Sequence, residues 1–111
     1  MENTEATLRI HKLTKDSLDK LILDELGGEA KAETFLATIY ELLEKQPNGK
    51  KGDLSTNGYA NIFYVCDVKG VLWAVSVIWF SYGWYVSALS VQPPFGWGAG
   101  VQVFSSHRTE A

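Results

Sequence analysis

Apolar residues recur with two different periods along this chain, and the period changes about halfway along it. After residues 1–6, which we expect to be frayed, the segment TLRIHKL alternates, with Leu8 and Ile10 on one side and polar residues on the other. Alternation with a period of two is typical of a half-buried strand. We therefore predict a short N-terminal edge strand.

The next two segments carry apolar residues at helical spacing. In the first, Thr14 can serve as the N-cap and Gly27–Gly28 end the helix; its apolar positions are Leu18, Leu21, Ile22 and Leu26. The second ends before Pro47 and has a longer stripe, made of Ala32, Phe35, Leu36, Ile39, Leu42 and Leu43. We predict two amphipathic helices, followed by a polar, turn-rich loop over residues 47–58.

The C-terminal half has the composition of a sheet. Four segments rich in β-branched and aromatic residues follow one another: YANIFYVCDV, VLWAVSVIWF, WYVSALSVQ and VQVFSSH. Lys69–Gly70 and Tyr82–Gly83 fit two-residue hairpin turns. The sequence therefore predicts a single α+β domain over residues 1–111. In it an N-terminal edge strand and two helices precede a four-stranded antiparallel meander, and the helices pack on one face of the sheet.

The two hairpins imply a register, which assigns side chains to the two faces. Pairing Val68 with Val71, and Ser81 with Trp84, gives one apolar face on which we expect the helices. The opposite face also lacks the polar residues of a solvent-facing surface. Its large apolar residues would form a patch wider than monomers usually expose. We expect a partner to cover them: Phe63, Ile78, Phe80, Leu89 and Val91.

The same second face has the make-up of a small-ligand pocket. Aromatic residues gather around three small polar groups; the aromatic residues are Tyr59, Phe63, Phe80 and Tyr85, and the polar residues are Asn61, Ser76 and Ser87. These polar groups could equally form hydrogen bonds inside a dimer interface. Both interpretations stay open, and we favour the interface.

The segment QPPFGWGAG, residues 92–100, is longer than closure of a hairpin requires. Pro93 and Pro94 stiffen it, while its glycines permit positive φ values. Such a loop can hold Phe95 and Trp97 in fixed positions. We favour at least one ring packed on the end of the sheet, with Trp97 as an exposed anchor for a partner as the alternative.

Composition and motifs narrow the function classes. The net charge is −3, so nucleic acid and anionic membranes are poor partners. A single cysteine, Cys66, leaves no internal disulfide and no cysteine-based zinc site, and we expect it to be buried and inert. No phosphate-binding loop, G-x-S-x-G or H-E-x-x-H motif occurs, so we expect no cofactor and no metal.

Three further expectations concern single residues and location. We expect His11 and His107 to be solvated, because they could bind a metal together only if the terminal segments were neighbours. The acidic residues of the helices, Asp19 among them, should form a solvated outer face. No secretory signal and no apolar segment long enough to span a bilayer is visible, which favours a cytoplasmic protein.

A helical N-terminal half followed by an antiparallel meander resembles the cystatin-like and NTF2-like α+β folds in architecture. Those groups include protease inhibitors, ligand binders, dimerising modules and some enzymes, so the resemblance implies no single function. From the residues we expect a small, non-catalytic protein-interaction module that homodimerises, or binds another protein, through the second sheet face. The alternative is a small enzyme or a binder of a hydrophobic ligand, with the aromatic pocket as its site.

Overall fold

The computed structural model describes residues 7–81, 83–92 and 95–107. It is an α+β domain with three helices and a mostly antiparallel, mixed sheet. The strands are β1 (Thr7–Lys12), β2 (Ser17–Leu18), β3 (Glu33–Thr34), β4 (Asn61–Cys66), β5 (Leu72–Phe80), β6 (Gly83–Ser90), β7 (Gly96–Trp97) and β8 (Gln102–His107). The helices are α1 (Asp19–Glu25), α2 (Glu29–Ala32) and α3 (Leu36–Lys45).

The main sheet has the strand order β1-β8-β4-β5-β6. Strands β4, β5 and β6 form the predicted meander, but β8 does not continue it. Instead β8 returns across the domain and lies between β1 and β4, parallel to β4. The predicted four-stranded meander is therefore wrong in its last strand. The long connection after β6 allows this return, and it leaves β6 as one edge of the sheet and β1 as the other.

The first hairpin is one residue longer than predicted. Asp67 N–H donates to the carbonyl of Val71 at 2.8 Å, so these two residues close the turn, rather than Val68 and Val71. The Asp67 carboxylate accepts the N–H groups of Lys69 and Val71 at 2.8 and 2.9 Å, and Gly70 has φ +84°. An aspartate that caps its own turn in this way fixes the longer form. The one-residue shift moves each β4 side chain to the opposite face.

The second hairpin pairs Phe80 with Gly83, two positions from the predicted register. A shift by two keeps the faces, so the predicted arrangement of β5 and β6 side chains by face holds. Only β4 exchanges its faces relative to the prediction.

Helices pack on both faces of the sheet, and not on one face as predicted. On one face, which we call the α1 side, Ile22, Leu23 and Ala32 of α1 and α2 pack against Ile62 and Tyr64. On the other face, the α3 side, Ile39 and Leu42 of α3 pack against Phe63, Val75 and Phe104. The domain thus has two cores, which share the central strands β4 and β5.

The second predicted helix is divided because its apolar stripe serves both cores. Ala32 is buried on the α1 side and Ile39 on the α3 side. Between them β3 pairs in parallel with Tyr64 and Val65 of β4, and the Thr34 hydroxyl donates to the carbonyl of Tyr64 at 3.2 Å. The chain therefore changes face through an extended segment at the end of the sheet, which a continuous helix could not do.

The first helix begins at Asp19, and not near Thr14. Ser17 and Leu18, just before it, pair with Trp97 and Gly96 in a separate two-stranded sheet. Residues 47–58 contain no helix or strand, as predicted. Leu54 of this loop is buried in the α3-side core, where the Gln46 side chain hydrogen-bonds its backbone.

Candidate functional site

The largest group of predicted site residues lies together on the α1 side of β5 and β6. The register places Ile78 opposite Tyr85, and Ser76 opposite Ser87. The group consists of Ser76, Ile78, Phe80, Tyr85, Ser87 and Leu89. We call these six residues the β5–β6 patch.

The patch is aromatic and open at the hairpin end. The rings of Phe80 and Tyr85 pack edge to face with centroids 5.1 Å apart, and each side chain is about half exposed. Ile78 and Leu89 are partly buried against the α1-side core, and Ser76 is buried. The patch therefore joins the core at one end and presents bare aromatic surface at the other.

Asn61 and Phe63 lie on the opposite face, because of the one-residue shift of β4. Phe63 is buried and stacks on Phe104 with centroids 4.5 Å apart. The Asn61 amide donates to the carbonyl of Val77 at 3.0 Å and accepts the N–H of Ser55 at 2.8 Å. Both side chains are enclosed in the protein, so the residues of the predicted pocket are not all brought together.

Tyr59 stands apart from the patch. It lies in the segment before β4 and is half exposed, with its ring against Gly100, where an added Cβ would come within 3.1 Å of it. Gly100 also has φ +99°, a backbone conformation that favours glycine. This contact explains one of the glycines in the QPPFGWGAG segment.

The two aromatic residues of QPPFGWGAG have different environments. Trp97 is only 8% exposed and belongs to the α1-side core, whereas Phe95 is 45% exposed and packs on it with centroids 4.7 Å apart. Of the two alternatives from the sequence, Trp97 takes the core position. Pro93 and Pro94, which were expected to stiffen the loop, lie outside the described residues.

The buried carboxylate of Asp19, which we predicted to be solvated, holds this loop in place. Asp19 is fully buried, and its Oδ1 accepts hydrogen bonds from the Tyr64 hydroxyl at 2.7 Å and from Trp97 Nε1 at 2.8 Å. Its Oδ2 accepts the backbone N–H of Phe95 at 2.8 Å. The prediction of a solvated Asp19 is therefore wrong. Burial raises the pKa of Tyr64 far above its usual range, and the Asp19 carboxylate raises it further, so this hydroxyl keeps its proton as a donor.

A second candidate site is an apolar groove on the α3 side, between α3 and the edge strand β6. Its volume is about 240 Å³, and its lining is apolar except for Asp67: Leu36, Val65, Cys66, Asp67, Trp73, Val75 and Ala88. We call it the α3–β6 groove. The Asp67 carboxylate accepts Trp73 Nε1–H at 3.0 Å and the N–H groups of its own turn, and these hydrogen bonds lower its pKa. It is therefore already engaged within the protein.

Cys66 borders the α3–β6 groove, although its side chain packs against the α1-side core, and it is half-buried, less enclosed than predicted. Partial desolvation raises the pKa of its thiol, and the Glu33 carboxylate raises it further. A thiol with a raised pKa stays protonated near neutral pH and is a weak nucleophile.

The described residues offer little else for chemistry. A cavity of about 560 Å³ beside α1 is lined by four charged residues, Asp19, Lys20, Asp24 and Glu29, together with Leu23, Gly28, Val91 and Gln92. No group of three or more His, Cys, Asp or Glu in the described part of the chain could hold a metal ion. The terminal strands are neighbours, but His11 pairs with Val103 and Thr7 with His107, so the two histidines are four register positions apart.

Comparisons with protein-family models, with curated proteins and with solved structures find no match to this chain. The resemblance to cystatin-like and NTF2-like architecture therefore stays a prediction. Within residues 7–81, 83–92 and 95–107, no helix is long and apolar enough to cross a bilayer.

Proposed function

We propose that this chain is a non-catalytic protein-interaction module that homodimerises through the β5–β6 patch. The observation that carries the proposal is the exposure of Phe80 and Tyr85 next to an edge strand without a single charged residue. Large aromatic side chains that lie bare and together are typical of interfaces. A second copy fits this surface although each chain carries a net charge of −3, because the contact itself has no charged side chain and keeps the like charges apart.

We expect the wild-type chain to sediment as a dimer at concentrations from about 10 to 200 μM, in the range of weak to moderate affinity. Tyr85→Ser should weaken the dimer about tenfold, because it removes aromatic surface from the contact. Tyr40→Ser is the matched control. Tyr40 is 54% exposed and Tyr85 is 56% exposed, but Tyr40 lies on α3 on the other side of the sheet. Sedimentation equilibrium measures both dissociation constants.

Two results would count against homodimerisation. A wild-type chain that stays monomeric at about 200 μM would remove it. Equal weakening by Tyr85→Ser and Tyr40→Ser would show that the β5–β6 patch is not the contact.

The α3–β6 groove supports a second candidate function, the binding of a small hydrophobic ligand. Its volume suits a fused-ring molecule, and the half-buried Trp73 ring offers a stacking surface. With 2-naphthol as the probe, we expect NMR shift changes at the Trp73 indole and, in the wild type, at the Ala88 methyl. Ala88→Leu, which fills the groove, should abolish the change at the Trp73 indole, whereas Ala37→Leu on the exposed surface of α3 should not. Shift changes that survive Ala88→Leu would exclude the groove as the binding site.

A further inference from the structure

The backbone of β6 has hydrogen-bonding groups that no other strand uses within residues 7–81, 83–92 and 95–107. Asp67 and Val71 form a hydrogen-bonded pair, and such pairs recur at every second position of an antiparallel ladder. Val75 and Val77 therefore direct their backbone groups to β4, and the carbonyl of Val77 points to this strand, where it accepts a hydrogen bond from the side-chain Nδ2 of Asn61 at 3.0 Å. The alternate residues of β5 bond to β6.

This alternation identifies the free groups of β6. Ser76 pairs with Ser87 and Ile78 with Tyr85, so the hydrogen bonds to β5 come from Gly83, Tyr85, Ser87 and Leu89. The residues between them turn both N–H and C=O to the open edge: Trp84, Val86, Ala88 and Ser90. An open edge of this kind is a template for another strand.

We propose that β6 pairs antiparallel with β6 of a second copy, about a two-fold axis at Ser87, so that the two sheets become one. This inference rests on the proposed function and narrows it, since only the β6 residues of the β5–β6 patch, Tyr85, Ser87 and Leu89, meet the second copy. With the axis at Ser87, Val86 pairs with Ala88 of the second copy and Trp84 with Ser90. All four outward-facing residues are then paired within β6, whereas an axis one residue away, at Val86, places Ser90 beyond the first residue of β6, Gly83, in the second copy.

The side chains of β6 are complementary to themselves in this register. On the α1 side, Tyr85 faces Leu89 of the second copy, an aromatic–aliphatic pair of the kind that stabilises sheets. On the α3 side, the large Val86 faces the small Ala88. No charged side chain lies anywhere on the strand, which reads GWYVSALS. A second copy therefore meets neither like charges nor overlapping bulk.

The opposite edge explains why the assembly closes as a dimer. Strand β1 reads TLRIHK, and the charged Arg9 and Lys12 on it are exposed. Charged side chains on an edge strand resist pairing with another sheet. Once β6 is used, the joined sheet ends in β1 on both sides, and a closed two-fold dimer results.

Cysteine cross-linking tests the register, with Cys66→Ser as the background. Ser87→Cys places a thiol opposite its own mate, where Cα atoms of a non-hydrogen-bonded pair lie about 4.5 Å apart, within disulfide range. Ser90→Cys is the matched control, because position 90 of one copy faces Trp84 of the other, and the two residues at position 90 are about 20 Å apart along the strand. With diamide as oxidant, we expect a linked dimer of the Ser87→Cys variant on non-reducing gels and none of the Ser90→Cys variant.

A second pair of variants tests the edge without covalent chemistry. Val86 and Ile10 are both 43% exposed and lie on opposite edge strands. We expect Val86→Lys to raise the dissociation constant of the dimer at least tenfold, and Ile10→Lys to leave it unchanged. Far-UV circular dichroism checks that both variants are folded.

The outcomes separate this inference from the proposed function. A wild-type chain that is monomeric throughout overturns both. A wild-type dimer that is weakened by Tyr85→Ser, but neither cross-links through Ser87→Cys nor responds to Val86→Lys, overturns the edge pairing alone. Equal cross-linking of the Ser87→Cys and Ser90→Cys variants also overturns it, because random collision would then explain both.

Discussion

The buried carboxylate of Asp19 connects three distant parts of the chain through hydrogen bonds. It joins the start of α1 to Tyr64 on β4 and to Trp97 on β7. These donors come from positions 45 and 78 residues farther along the chain. A charge removed from water needs such partners, because an unpaired buried carboxylate is strongly destabilising. The site is therefore best understood as a structural centre that fixes the loop.

We expect Asp19→Asn to lower the free energy of unfolding by about 2 to 3 kcal/mol. The amide has one acceptor oxygen where the carboxylate has two, and its NH₂ group would face donors. Urea denaturation followed by tryptophan fluorescence measures the change. Asp24→Asn, an exposed aspartate on the same helix, is the control, and its effect should stay within about 0.5 kcal/mol. Equal stability of the Asp19→Asn variant and the wild type would contradict this role.

At the scale of elements, local sequence patterns predicted which segments form helices or strands. They predicted less well where these elements end and which strands pair. The α+β class and the strands β4, β5 and β6 follow from β-branched and aromatic runs between turns. The end of the first helical segment at Gly27–Gly28 was also predicted. In the structure both glycines have positive φ, as expected for residues that follow a helix. Each of these features depends on residues close together in the chain.

The incorrect predictions share a physical cause. At each of these positions, contacts with residues far away in the sequence determine the structure. The apolar stripe from Ala32 to Leu43 has helical spacing throughout, but β4 pairs with Glu33 and Thr34 and interrupts it. Likewise, the first turn of the predicted helix at Thr14 is replaced by pairing of Leu18 with Gly96. Helical periodicity indicates that a stripe of residues is buried, but it does not indicate whether the whole stripe packs against one core.

A difference of one residue in the β4–β5 register changed the composition of the candidate site. Because the Asp67 turn is one residue longer than predicted, Asn61 and Phe63 moved to the other face, while the β5–β6 half of the site stayed together. The aspartate before Lys69–Gly70 is a signal for the longer turn that the sequence does contain. The role of Asp19 had no such local signal, because its partners lie far along the chain.

At the scale of the whole molecule, the two cores depend on the same strands. Tyr64 and Phe63 are neighbours on β4, yet one belongs to the α1-side core and the other to the α3-side core. Loss of either core would expose one face of β4 and β5 to water. We therefore expect that neither half of the domain remains folded alone and that unfolding is one cooperative transition, as is usual for a domain of this size.

Paired core substitutions test this coupling. Ile22→Ala on the α1 side and Ile39→Ala on the α3 side should each lower the free energy of unfolding by about 2 to 4 kcal/mol, because each leaves a cavity. The sheet lies between the two sites, so the effects in the double variant should add to within about 0.5 kcal/mol. Leu21→Ala, an exposed position on α1, is the control.

Urea denaturation followed in parallel by far-UV circular dichroism and tryptophan fluorescence should give coincident transitions for every variant. Separate transitions in either single variant would mean that one core unfolds without the other, and the shared strands would then not couple them.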